Sequence, residues 1–184
     1  MKEASNQIKK NVATQRSVFK ELMSWIKVML LAVLIGMAVS YFIKPTLVSG
    51  KSMFPTLDDQ DYLILNRFSY KIGEPQRKDI VVFRSHLAGN RILIKRVIAT
   101  EGEKIVIKDG KVYVNDRLLN ESYVKGNATT GDFEGIVPKN KLFVMGDNRG
   151  NSIDSRRTEV GFVSKDEIIG KVWFRLIPLK GIEE

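Results

Sequence analysis

LMSWIKVMLLAVLIGMAVSYFI, residues 22–43, is the one long apolar run in the chain, and its contrast with the residues after it decides the fold class. As a helix, 22 residues span about 33 Å, close to the hydrocarbon thickness of a bilayer. A single charge, Lys27, lies near its start, where a long side chain can extend its ammonium toward headgroups. Trp25 sits near one end and Tyr41 and Phe42 near the other, the interfacial positions that amphipathic rings prefer. Apolar residues run around the whole circumference, which suits a membrane span better than a core helix with one buried stripe. Ala38-Val39-Ser40 has the small-residue spacing of a removable signal peptide. The long basic region before it and the length of the apolar stretch favour an uncleaved anchor. Residues 1–21 then form a basic cytoplasmic tail, and residues 44–184 an extracytoplasmic domain, by the positive-inside tendency.

Beyond the anchor the pattern changes to short β-type runs separated by turn residues. Asp61–Asn66, Asp79–Phe83, Ile92–Thr100, Lys104–Lys108, Lys111–Val114, Lys141–Met145 and Lys171–Leu176 are expected strands. Asp109-Gly110 between two of them is a two-residue hairpin signal, and Asn115-Asp116-Arg117 is expected to turn the chain again. Ser164–Ile169 suits one short helical turn, and the polar, Gly-containing stretch Glu121–Val137 is expected to be an exposed, mobile loop. The fold class is therefore mostly β: antiparallel, coiled sheets preceded by one transmembrane helix. The 141 residues after the anchor suffice to bury a core without disulfides.

Composition narrows the chemistry. The chain has 184 residues, no cysteine and one histidine, so it offers no thiol nucleophile and no soft metal site; no cofactor is expected. The formal charge of +9 invites a nucleic-acid reading. However, residues 1–27 hold six basic side chains against two acidic ones, and the remaining excess is spread along the chain. With no basic helix and no aromatic stacking motif, no nucleic-acid partner is expected.

Three segments contain candidate reactive groups. In Gly50-Lys51-Ser52-Met53-Phe54-Pro55-Thr56-Leu57, Ser52 is either an ordinary turn serine or a nucleophile presented on a Gly/Pro-shaped turn. A serine nucleophile needs a base. The single histidine, His86, lies in the loop Arg84–Asn90 and reads as solvated, while Lys51 points away from its neighbour on an extended chain. Lys95 ends the apolar run Ile92-Leu93-Ile94 and is either a surface lysine at a strand end or an amine buried in a dry site. Lowering a lysine from its ordinary value to about 7.5 costs roughly 4 kcal/mol, and burial against apolar walls supplies that shift. The third segment, Gly146–Arg156, packs two carboxylates, two arginines and two serines after a strand. It is either a solvated turn or a support in which Asp147 and Asp154 pair with arginines and Ser152 orients the lysine. Exposed Met53 and Phe54 suit either the lipid headgroups or the core.

Ser52-Met53-x-Pro55-Thr56, Asp79-Ile80-Val81-Val82-Phe83, Lys95-Arg96-Val97-Ile98 and Gly146–Arg156, in this order, resemble the type I signal peptidases in their small, single-anchor bacterial form. That family cuts leader peptides from exported proteins with a serine and a lysine. The resemblance implies Ser52 as nucleophile, Lys95 as general base, and a hydrogen bond from Ser152 to that lysine. It also implies an Asp147–Arg96 salt bridge and a loop buttressed by Asp154 with Arg156. Some members carry a serine two residues before the nucleophile to help hold the oxyanion; here that position is Gly50, so the oxyanion would rest on backbone N–H groups at Ser52 and Gly50. Substrates implied are preproteins with small residues at −1 and −3 of the cut. They would lie extended between Leu47–Gly50 and Ile92–Ile94, with Val48, Ser49, Leu57, Leu93 and Ile94 shaping shallow pockets. Preproteins and membrane lipids are thus the expected partners. Two other classes stay in view: an anchored β-domain that binds a partner or cell wall without catalysis, and a self-cleaving Ser–Lys repressor. The latter predicts a DNA-binding helix-turn-helix where the transmembrane run sits.

Overall fold

The computed structural model describes residues 2–126, 128–179 and 181, with side chains from Val18 onward. The chain forms two units, Met1–Tyr41 and Phe42–Glu184. The first belongs to helix α1, Lys2–Phe42. Its segment Val18–Phe42 is long and apolar enough to cross a membrane, and its most apolar stretch is exposed among the described residues. Such a helix is solvent-compatible only where hydrocarbon replaces water along its flank.

The second unit is built from strands β1 (Ile43–Leu47), β2 (Tyr62–Asn66), the one-turn helix α2 (Ser69–Ile72), β3 (Ile80–Ser85), β4 (Arg91–Thr100), β5 (Lys104–Lys108), β6 (Lys111–Val114), β7 (Arg117–Leu118), β8 (Phe133–Ile136), β9 (Lys141–Met145), β10 (Val163–Ser164) and β11 (Ile168–Ile177). They pair antiparallel in two sheets, one of seven strands in the order β1-β2-β11-β3-β4-β9-β10, the other of four in the order β7-β6-β5-β8. The fold class read from sequence is the one observed. Asp109 and Gly110 both have positive φ, 51° and 73°, the two-residue turn whose twist matches paired strands. Asn115 and Asp116, at 50° and 59°, repeat the device between β6 and β7. A 3₁₀ turn at Lys165–Glu167, capped by Ser164, occupies the place of the expected helical turn.

Three apolar clusters hold the sheets. Ile80 and Val82 of β3 join one with Val48, Met53, Leu57, Leu63 and Leu65, while Val81 and Phe83 join another with Val97, Leu142 and Val144. Both faces of β3 are therefore covered, which explains its unbroken apolar sequence. The third cluster joins the sheets through Ile98, Ala99, Phe143 and Met145 on one side and Ile105, Ile107, Val112 and Val114 on the other. Consecutive Ile98 and Ala99 share a cluster because β4 bulges there: Val97 pairs with Val144 and Ala99 with Phe143.

Three local expectations need correction. Ile43 begins a strand instead of ending the helix; Lys44-Pro45 disguised β1, and a proline is tolerated there because β1 is an edge strand. The stretch 121–137 is not simply an exposed loop: it buries Tyr123, Thr129 and Val137 and contributes β8. Met53 is 1% exposed and belongs to the core, leaving only Phe54 outward.

Arg175 on β11 and Asp61 before β2 form a buried pair at 2.7 Å. Arg175 also donates to the Thr56 carbonyl at 3.2 Å, tying β11 to the turn that carries Ser52. Replacing Arg175→Ala leaves the Asp61 carboxylate buried without its cation, and should lower the unfolding free energy by about 3–5 kcal/mol. Denaturant unfolding of the full chain in detergent measures this, and a loss below about 1 kcal/mol contradicts it.

Candidate active site

The turn after β1 is held from beneath. Met53 and Leu57 are buried in the cluster with Val48 and Leu63, and the Leu57 N–H donates to the Met53 carbonyl at 2.9 Å. The apolar pair pins the turn on either side of Pro55 and leaves Ser52 half-buried above it. Gly50 enters the turn at φ 92°, a left-handed conformation that side chains rarely adopt. Its N–H donates to Asp59 Oδ1 at 2.7 Å, and this bond, aided by one from Gln60, holds the Asp59 carboxyl below its ordinary range.

Lys95 of β4 is 2% exposed, and its Nζ lies 2.7 Å from Ser52 Oγ and 2.8 Å from the Ile94 carbonyl. Burial lowers the amine from 10.5 to about 8, against the opposing pull of the Asp154 and Asp147 charges. Among the described residues no carboxylate is hydrogen-bonded to it, so desolvation prevails. A hydroxyl and an amine near neutrality, in contact and shielded from bulk water, can exchange a proton and so activate the hydroxyl.

The segment after β9 locks this pair in place. Asp147 accepts from Arg96 Nε at 2.9 Å and Nη2 at 2.8 Å, and from Thr56 Oγ1 at 2.6 Å. One carboxylate thus joins β4 to the Ser52 turn. Asn148 adds two bonds, its N–H to the Ser52 carbonyl at 3.1 Å and its Nδ2 to the Lys51 carbonyl at 3.0 Å. Gly146 lies directly against the turn, where a Cβ would collide with the Ser52 carbonyl oxygen and with the Ser152 side chain. Asp154 accepts from Arg156 Nε and Nη2 at 2.8 and 2.9 Å and from the Gly146 N–H at 3.0 Å. Burial works to raise the Asp154 carboxyl, but Arg156 and the Gly146 N–H outweigh it and hold the group below its ordinary range.

Six of the residues singled out in the sequence meet here: Ser52, Lys95, Arg96, Asp147, Asp154 and Arg156 form one connected cluster. Others fall differently. Ser152 makes no hydrogen bond to Lys95. Among the described residues its Oγ is the one buried side-chain oxygen or nitrogen without a partner, near enough to Asp154 to favour that charge but outside bonding geometry. The Gly50 N–H is turned to Asp59 and not toward Ser52, so it is not an available oxyanion donor. Val48 and Leu57, expected to line pockets, are 3% and 0% exposed because the core already covers them. Leu93 and Ile94 are half-buried but pack against different clusters, as neighbours on a strand must. Ser49 is exposed. His86 is an exposed loop residue bonded to Asn90. Sequence reading missed Thr56, although it stood in the Ser52 motif, and missed Glu121, Tyr123 and Thr129, whose polar stretch carried no periodic signal.

The chain as a whole is similar to known proteins. The family model described as signal peptidase, peptidase S26, matches residues 22–177. The chain is 35% identical to signal peptidase I T of Bacillus subtilis over 95% of its own length and 97% of the relative's. It is 39% identical to signal peptidase I U of the same species, over 79% and 81%. Signal peptidase IB of Staphylococcus aureus is 36% identical over 86% and 91%. A solved signal peptidase I from Enterococcus faecalis is 33% identical, with a TM-score of 0.49, covering 55% of this chain and 99% of that one. The chain therefore belongs to the signal peptidases of the peptidase S26 family.

Proposed function

We propose that this protein is a membrane-anchored serine endopeptidase that removes signal peptides from exported preproteins, with Ser52 as nucleophile and Lys95 as general base. The 2.7 Å contact between Lys95 Nζ and Ser52 Oγ, made by a buried amine, carries this reading. Neutral Lys95 takes the Ser52 proton as Oγ attacks the scissile carbonyl. The resulting ammonium passes that proton to the leaving amine, and the acyl-enzyme forms. Lys95 then deprotonates the water that releases the acyl group, and returns the proton to Ser52. The Ser52 N–H, at the head of a pinned turn, is the donor assigned to the oxyanion.

Two features support the substrate class. Residues Arg91–Lys95 of β4 pair with β3 on one side, whereas pairing with β9 begins only at Arg96. The other edge of Arg91–Ile94 suits an extended peptide adding as a strand. The preference assigned to that peptide is small residues at −1 and −3, of the Ala-x-Ala kind, with half-buried Ile94 and exposed Ser49 beside its path. Lipid contact is supported by the row Leu47, Tyr62 and Ile177, aligned across β1, β2 and β11 and 44–57% exposed. With the basic tail in the cytoplasm, α1 holds the domain at the outer face, where preproteins emerge. The diffuse charge of the domain gives no reason to add a nucleic-acid partner.

The full chain in detergent, assayed on a preprotein, tests the dyad. Ser52→Ala and Lys95→Ala should each lower kcat at least about a thousandfold, and His86→Ala should stay within about twofold. Retained cleavage in Ser52→Ala would show that Ser52 is not the nucleophile, and no cleavage by the parent chain would leave a binding domain as the surviving reading. At pH 7 roughly one lysine in ten with a value near 8 is neutral. Since the neutral amine is the base, kcat/KM should climb with pH and level off above about 8. An acid limb near 10 would contradict a desolvated base. Gly146→Ala should push the loop off Ser52 and cost on the order of a hundredfold in kcat with the fold retained by circular dichroism; unchanged turnover would show that this close approach is not needed.

A further inference from the structure

We propose that Glu121 is a positioning residue for the Ser52–Lys95 pair, acting through Arg149 on the Gly146 carbonyl. The inference rests on the proposed roles of Ser52 and Lys95. Arg149 belongs to the segment that supports the site, yet its side chain is fully buried. Its Nε donates to the Gly146 carbonyl at 3.1 Å. Its other nitrogens face out of the segment: Nη1 donates to Glu121 Oε2 at 2.8 Å and to Thr129 Oγ1 at 2.7 Å, and Nη2 donates to Glu121 Oε1. The guanidinium is thus clamped between the residue that abuts Ser52 and a carboxylate carried between β7 and β8.

The clamp has two further grips. The Tyr123 hydroxyl donates to Glu121 Oε1 at 3.1 Å, while its ring lies 4.0 Å from the Arg96 guanidinium carbon. Arg96 in turn bonds Asp147, and Arg156 Nη1 donates to the Thr130 carbonyl at 3.0 Å. Segment 121–130 therefore bears on each of the three arginines around the site. Removing the Glu121 carboxylate leaves a buried cation with neutral acceptors only, and it must draw in water or swing outward. Either movement loosens the hold on the Gly146 carbonyl. Gly146 has no clearance against the Ser52 carbonyl, so its displacement is passed directly to the nucleophile turn.

Steady-state kinetics of the full chain in detergent test this with Glu121→Ala, Glu121→Gln, Arg149→Ala, the Glu121→Ala/Arg149→Ala double variant and Ser52→Ala, each also followed by thermal unfolding. Glu121→Ala should lower kcat about tenfold or more while KM stays within about twofold, at temperatures where the variant is folded. Glu121→Gln, which keeps an acceptor oxygen, should fall between it and the parent, and serves as the readout if the alanine variant does not fold. The double variant should be no slower than Arg149→Ala alone, because both act on one link. Folded Glu121 variants with parental kcat, or losses at 121 and 149 that multiply, would overturn the inference. Ser52→Ala separates the two levels: if it is inactive while the Glu121 variants are normal, only this inference fails, and if it stays active the dyad itself fails.

Discussion

The Asp147 carboxylate is the point on which the site depends. Three donors from two distant parts of the chain converge on it, two from Arg96 on β4 and one from Thr56 in the Ser52 turn. Because the Arg96–Asp147 pair is almost wholly removed from water, its net worth over an apolar pair is small. Breaking it is another matter, since either partner alone would be a buried, uncompensated charge costing about 3–5 kcal/mol. The interaction therefore acts as a register pin. It permits one alignment of β4 against the turn and penalises every other.

That alignment lets an apolar environment do chemical work on Lys95. Bringing the amine from 10.5 to about 8 represents on the order of 3 kcal/mol of unfavourable solvation for its charged form. The hydrophobic clusters that bury the strand around it outweigh this cost. Nearby Asp147 and Asp154 would undo the shift if they bonded the amine, but their hydrogen bonds are committed to Arg96, Thr56, Arg156 and the Gly146 N–H. The arginines thus have a second effect beyond holding the loop: they keep anionic charge engaged elsewhere. Packing and electrostatics serve the same end.

Much of this was legible from local pattern. The apolar run 22–43, the Asp109-Gly110 turn and the alternating strands at 104–108 and 111–114 identify themselves because their signals are short-range. Ser52, Lys95 and the Gly146–Arg156 segment stood out for their residue types and order. What did not show was anything fixed by long-range pairing. β1 was hidden by Pro45 and by its continuity with the helix. β8 and the buried Tyr123 lay in a polar stretch whose role depends on Arg149, a partner 28 positions from Glu121. The occupied Gly50 N–H and the unpartnered Ser152 hydroxyl are matters of side-chain aim, which residue spacing does not encode.

Ser52 and Lys95 are 43 positions apart, Thr56 and Asp147 are 91, and Asn148 and Lys51 are 97. Such distant pairings close late, after the entropy of the intervening chain has been surrendered. With Ser52 and Lys95 in their proposed roles, a nascent or half-folded polypeptide has an ordinary hydroxyl and a hydrated, protonated amine, and that pair can cut nothing. On the proposed mechanism, topology by itself keeps the chain latent, and hydrolytic power arrives only with the finished architecture.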